Sequence, residues 1–213
     1  MIDETKRRKL AYPLYALTAE EHSAGRSNRD VVMDMLAGGV KLVQYREKEK
    51  SGREKFLECM EIRKITEKAG ATFIVNDDAA LALAVRADGV HLGQDDMPIE
   101  AAREIVGGDM IIGLSTHSPR QAREAVTRRA DYIGVGPIFP TQTKKDVCAA
   151  VGFEYLDYAV RNVRIPFVAI GGIKLHNMQD VLAHGASCVA MVTEIVGAPD
   201  IRARVKEILS RFS

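Results

Sequence analysis

Thr72-Phe73-Ile74-Val75-Asn76-Asp77-Asp78 opens as an unbroken run of β-branched and aromatic residues and stops on an amide and two carboxylates. A strand with one wet face alternates apolar and polar residues. A continuous apolar run is covered on both faces, as in a parallel sheet packed between helices. Working outward, short β-branched runs, most of them continuously apolar, recur at Leu14–Thr18 and Lys41–Tyr45 on one side. On the other they recur at Gly89–Leu92, Met110–Ser115, Tyr132–Gly136, Pro166–Ile170 and Cys188–Thr193. Helix signals lie between them. Ser51-Gly52-Arg53-Glu54 is a capping-box pattern ahead of a segment running to Ala69. Ser118-Pro119 sets a cap and an N1 proline before Ala122, Ala125 and Val126. Pro199 opens a last segment in which Ile201, Val205, Ile208, Leu209 and Phe212 share one helical face.

Strands alternating with helices predict a parallel sheet with right-handed crossovers, and eight such strands are the number that closes a (β/α)8 barrel. A doubly wound open sheet is the competing arrangement. It calls for a Gly-rich turn after the first strand, where this chain has Ala19-Glu20-Glu21-His22. The expected fold is therefore α/β, a single (β/α)8 barrel forming one domain over residues 1–213. Residues 1–12 form an N-terminal extension, read either as a short helix closing the bottom of the barrel or as a loose tail.

Composition narrows the function classes. The 213 residues carry 30 Lys+Arg against 29 Asp+Glu, a formal charge of +1, so there is no global field to hold a nucleic-acid backbone. With 46% hydrophobic and 28% charged residues the chain is too apolar for a disordered one. Cys59, Cys148 and Cys188 are odd in number and scattered, which predicts reduced thiols and no disulfide or zinc framework. Met1–Lys9 has no apolar signal core, and no stretch approaches the ~20 apolar residues of a bilayer span. The expectation is a soluble cytoplasmic protein with small-molecule partners, neither a membrane nor a nucleic-acid binder. The oligomeric state stays open, a homo-oligomer included.

The ends of the strands carry the chemistry. They read Gln44-Tyr45-Arg46-Glu47-Lys48, Asn76-Asp77-Asp78, Gly93-Gln94-Asp95-Asp96, Ser115-Thr116-His117, a long segment from Pro137 to Gly152, Gly171-Gly172, and Val192-Thr193. In a barrel these ends share one rim, where active sites of this fold are built. Asp77 and Asp96 follow adjacent strands. Two carboxylates brought together repel, and a hard divalent cation, normally Mg2+, relieves that; the other reading of each is a helix N-cap. Gln44, Arg46 and Lys48 alternate along a strand end and form a three-pronged anion grip. Thr141, Thr143 and Lys144 lie in a loop long enough to close over a phosphate. Gly171-Gly172 lets backbone N–H groups approach an anion, and Thr193 with the Val192 amide completes a phosphate site after the seventh and eighth strands. Of the histidines only His117 is expected at the rim, with His91 placed within a strand as a core or outward-facing residue. No residue stands out as a nucleophile, so the expected reaction is a substitution between two phosphorylated substrates, with a diphosphate leaving.

From Leu14 to Ile195 the chain resembles the thiamine-phosphate synthases, on the segments Gln44-Tyr45-Arg46-Glu47-Lys48, Asn76-Asp77, His91-Leu92-Gly93-Gln94-Asp95-Asp96, Gly136-Pro137, Thr141-Gln142-Thr143-Lys144-Lys145 and Ile170-Gly171-Gly172-Ile173. The resemblance implies a transferase that joins 4-amino-2-methyl-5-hydroxymethylpyrimidine diphosphate to a thiazole phosphate. It implies that Gln44, Arg46, Lys48, Asn76, Ser115 and Lys144 hold the pyrimidine diphosphate, with Arg46, Lys48, Ser115 and Lys144 catalytic. By the same token Asp77 and Asp96 bind Mg2+, and Thr141, Gln142, Thr143, Gly172, Val192 and Thr193 hold the thiazole phosphate. Tyr45 stands where the family more often has an aliphatic residue, and Thr193 replaces the commoner serine. A thiazole tautomerase and a non-catalytic thiazole-phosphate-binding regulator are the related alternatives. The joint presence of the diphosphate grip and both aspartates argues against each.

Overall fold

Alternate residues of a strand point to opposite faces, so an unbroken apolar run feeds two cores at once. The computed structural model, which describes residues 3–141, 143 and 148–212, shows both. Eight parallel strands close into a barrel in chain order: β1 Leu14–Leu17, β2 Leu42–Tyr45, β3 Thr72–Asn76, β4 Gly89–Leu92, β5 Ile111–Thr116, β6 Tyr132–Val135, β7 Phe167–Ala169 and β8 Val189–Met191. Around them run the helices α1 Glu4–Leu10, α2 Asn28–Gly38, α3 Gly52–Lys68, α4 Ala79–Ala84, α5 Ile99–Val106, α6 Pro119–Thr127, α7 Gly152–Asn162, α8 Met178–Ala183, α9 Thr193–Val196 and α10 Ile201–Leu209. The expected barrel is therefore the observed one, and the open sheet is excluded by the β1–β8 pairing that seals it.

The larger core lies between strands and helices, with Phe73, Val75 and Ile112 among its members. The smaller fills the barrel itself, with Tyr15, Leu42, Ile74, Ile111, Tyr132 and Val168. Local signals set the helix ends. The Ser51 capping box forms in full, with Glu54 N–H donating to Ser51 Oγ at 3.3 Å and Ser51 N–H to Glu54 Oε2 at 2.9 Å. Ser118 and Pro119 open α6 as expected. The last helix starts later than its proline, at Ile201. Asp200 is its N-cap and accepts the Ala203 N–H at 2.9 Å, which a proline side chain cannot do.

The N-terminal extension is a helix across the barrel's bottom. Asp3 caps α1, and Leu10 joins the interior core. Two aspartates just ahead of β4 and β6 receive it in the same way. Asp131 accepts from Lys6 Nζ at 3.1 Å, from Arg103 at 2.7 Å and from the Ile112 N–H at 2.8 Å. Asp88 accepts from Lys9 at 2.6 Å, from Arg63 at 2.8 Å and from the Phe73 N–H at 2.9 Å. Each carboxylate thus joins α1, a neighbouring helix and the preceding strand. Among the described residues no helix is long and apolar enough to cross a membrane.

Candidate active site at the C-terminal rim

Gln44 sits one residue before the end of β2 and points into the barrel, where its Nε2 donates to the Tyr15 hydroxyl at 2.8 Å. It is only 2% exposed, so it belongs to the floor of the rim. The expected three-residue alternation is not a strand feature throughout: β2 stops at Tyr45, and Arg46 and Lys48 lie in the connection to α3. That connection is held on both sides. Arg46 N–H donates to Thr18 Oγ1 at 2.9 Å. Glu47 accepts from the Glu20 N–H and from Asn28 Nδ2, both at 2.9 Å. Lys50 bridges Glu20 and Glu58. Tyr45 points away from the grip into the helix layer and donates to Glu58 Oε2 at 2.6 Å. The Arg46 main chain is thereby fixed, while its guanidinium has no hydrogen-bond partner among the described residues.

Asp77 adopts a φ of 65°, the left-handed region in which Asp is one of the few tolerated residues. Its N–H donates to the His91 carbonyl at 2.7 Å, which carries its carboxylate over the rim to Lys48. Asp96 accepts the Gly93 N–H at 2.6 Å. Its carboxyl is raised above the ordinary carboxylate range, first by burial and next by Asp77 beside it. Neither residue caps a helix, for the N-caps of α4 and α5 are Asp78 and Pro98. Two crowded hard-oxygen donors, in a region where no group of three or more metal-ligating side chains occurs among the described residues, fit a Mg2+ that keeps waters and takes phosphate oxygens. A cleft of about 310 Å3, lined in part by Lys48, Lys55, Asn76, Asp77 and Met97, opens beside them.

Ser115, near the end of β5, is partly buried and lies 2.9 Å from His91 Nε2. Of the two alternatives for His91 the core one holds, and the residue is hydrogen-bonded at both ring nitrogens. Its register opposite Asn76 on one side and Gly113 on the other turns it into the barrel, where Nδ1 meets the Tyr132 hydroxyl at 2.8 Å. Burial pushes its ring down to a pKa of about 4. The register carried the signal, because neighbours paired across parallel strands face the same side, and Gln44 and Asn76 had already been assigned to the site. His117, the rim histidine, is engaged instead with the Gly136 carbonyl at 2.6 Å.

Across the rim, Gly171 and Gly172 have φ values of 99° and 65°. A Cβ on Gly171 would fall 2.3 Å from the Pro137 Cβ, and one on Gly172 2.7 Å from the Pro140 carbonyl, so the pair is required by the close approach of the loop after β6 as well as by backbone conformation. β8 ends at Met191, and Thr193 opens the short α9. The Thr193 hydroxyl faces Lys174 Nζ at 2.6 Å, a cation that motif reading missed because it follows the glycine pair by two residues. Thr141 and Thr143 join hydroxyls at 3.2 Å. Gln142, Lys144 and Lys145 lie outside the described residues.

A closed parallel barrel with cations and crowded carboxylates on its C-terminal rim places the chain among the (β/α)8-barrel enzymes. The chain belongs to the thiamine monophosphate synthase family, whose model matches residues 14–195. The thiamine-phosphate synthase of Pelotomaculum thermopropionicum is 60% identical over 200 residues, 94% of this chain and 92% of its own length. That of Lawsonia intracellularis is 54% identical, with 92% and 90% covered. Among solved structures, a thiamine phosphate pyrophosphorylase from Pyrococcus furiosus superposes with a TM-score of 0.87 at 38% identity, over 96% of each chain.

Proposed function

We propose that the chain couples 4-amino-2-methyl-5-hydroxymethylpyrimidine diphosphate with a thiazole phosphate, giving thiamine phosphate and diphosphate. The reading is carried by one observation, the crowding of Asp77 and Asp96 beside Lys48 on a rim that also holds the Arg46 guanidinium, without a hydrogen-bond partner among the described residues. Asp77 and Asp96 would hold Mg2+, which when bound supplies positive charge to the departing diphosphate. Arg46 and Lys48, with Lys144, bind the diphosphate oxygens, and the Ser115 hydroxyl donates to them. Gln44 and Asn76 orient the pyrimidine ring. Thr141, Gln142, Thr143, Gly172, Val192 and Thr193 hold the thiazole phosphate on the opposite side.

The C–O bond to the diphosphate breaks first, its electron pair leaving on the diphosphate oxygen, and the thiazole nitrogen lone pair closes on the pyrimidine methylene. No protein nucleophile is used, in keeping with thiols of Cys59 and Cys188 that burial holds protonated. With this reading go a single domain over residues 1–213, with residues 1–12 as an extension closing the barrel's bottom, and work in the cytoplasm on small molecules.

The test is direct incubation with both substrates and Mg2+, following thiamine phosphate by its fluorescence after oxidation. Wild type forms product and the Asp77→Ala/Asp96→Ala variant does not. No product from wild type, or full activity in the double variant, overturns the assignment.

A further inference from the structure

A single chain of hydrogen bonds runs through the top of the barrel. Gln44 Nε2 meets the Tyr15 hydroxyl at 2.8 Å, Tyr15 meets Tyr132 at 2.9 Å, Tyr132 meets His91 Nδ1 at 2.8 Å, and His91 Nε2 meets Ser115 Oγ at 2.9 Å. Tyr15 and Tyr132 are 2% and 0% exposed, so neither hydroxyl can turn to water instead. The two ends of the chain are the two residues placed above on the pyrimidine ring and on its diphosphate. Room for the crossing is made by Gly113, where a Cβ would fall 2.2 Å from the Tyr132 ring and 2.7 Å from His91 Nδ1.

Proton counting gives the chain a direction. Each hydroxyl has one proton, and a buried imidazole with no carboxylate on either nitrogen is neutral, with one N–H and one lone pair. With the Gln44 amide N–H pointing at Tyr15, the Tyr15 proton goes to Tyr132 and the Tyr132 proton to His91 Nδ1. The imidazole proton is then on Nε2, given to Ser115 Oγ. Two groups are left to face the rim: the Gln44 carbonyl as an acceptor and the Ser115 O–H as a donor. The opposite direction is equally satisfied internally, but it turns the Gln44 NH2 outward and takes the Ser115 proton inward. The two ends cannot be set independently.

We propose that His91, Tyr132 and Tyr15 are positioning residues that lock the Gln44 amide to the Ser115 hydroxyl, so that binding a diphosphate at Ser115 obliges Gln44 to present an acceptor and thereby selects a pyrimidine bearing an exocyclic amino group. A diphosphate oxygen only accepts, so it holds the Ser115 proton outward. Through the chain this holds the Gln44 carbonyl toward the ring. A 4-oxo analogue then sets its own carbonyl against that of Gln44, and relief requires reversing every bond at the cost of the one to the diphosphate. The inference rests on the substrate assignment proposed above, and its direct test does not.

That direct test is 15N NMR of the histidine-labelled wild-type protein saturated with inorganic diphosphate. In that complex His91 is expected as the neutral Nε2–H tautomer, with Nδ1 unprotonated; an Nδ1–H tautomer there overturns the proposal whatever the protein catalyses. The second measurement compares kcat/KM for the 4-amino substrate and its 4-oxo analogue. Wild type is expected to favour the amino compound at least about 100-fold. Tyr132→Phe, which cuts the chain and frees Gln44 to turn, narrows that ratio about tenfold, a change that damage to folding alone does not produce. Tyr15→Phe, cutting the chain one bond nearer Gln44, does the same and stands in if Tyr132→Phe does not fold. A ratio within twofold of wild type in the variants overturns the proposal. A wild type inactive on the amino substrate overturns the functional reading, and leaves the tautomer to decide this one.

Discussion

The two ends of the barrel treat a pair of aspartates in opposite ways. At the bottom, Asp88 and Asp131 each face one lysine, one arginine and one backbone N–H. At the top, Asp77 and Asp96 face each other, with Lys48 the one cation paired to them by a salt bridge among the described residues. The same side chain, at opposite strand ends, is satisfied where it holds the fold and left in conflict where the site lies. Stability is gathered at the N-terminal end of the strands, and unspent charge at the C-terminal end.

The largest test of that contrast is Asp96→Asn. Removing one charge of the crowded pair is expected to lower kcat/KM about 10³-fold, the scale on which a group stabilising charge in a transition state acts. Thermal unfolding of the same variant is expected to show an unchanged or higher Tm, because the raised Asp96 carboxyl marks a charge the fold does not want. A lower Tm would break the comparison. Asp131→Ala is the converse. It strands Lys6 and Arg103 at a site where the side chains of Asp131 and Lys6 are 10% and 11% exposed, and is expected to cost about 3–5 kcal/mol in denaturant unfolding. KM for both substrates, measured on the fraction that remains folded, stays as in wild type. Smaller again is Arg46→Ala. With no internal partner to lose among the described residues, it leaves unfolding within about 0.5 kcal/mol of wild type. The pyrimidine diphosphate KM is expected to rise about tenfold to 100-fold, and that of the thiazole phosphate to change little. Equal losses for the two substrates would mean the grip lies elsewhere.

Much of this was legible before any coordinate. The run Thr72–Asn76 is a strand with those bounds, because burial on both faces writes itself as an apolar run, and Gly89–Leu92 is one too although His91 interrupts it. Ser51 and Ser118 announced their helices for an equally local reason. What escaped needed tertiary information. The direction of His91 depends on its register with Asn76 and Gly113 on neighbouring strands, and a histidine inside a strand carries no local mark of its face. Lys174 became part of the rim only through its bond to Thr193, nineteen residues away on the next strand's end. The extension left open between helix and tail is settled by Asp88 and Asp131, partners that a window of sequence around α1 cannot contain.

Those partners also set a clock. Lys6 leaves the ribosome 125 residues ahead of Asp131. At roughly 5–20 residues per second, α1 waits on the order of ten seconds after its own synthesis before the second of its two docking carboxylates exists, Asp88 having come first. α1 is thus fastened at both carboxylates only after β1–β5 have been made. A ribosome-stalled chain ending before Asp88 would leave α1 open to protease, while one long enough to bring Asp131 clear of the exit tunnel would protect it.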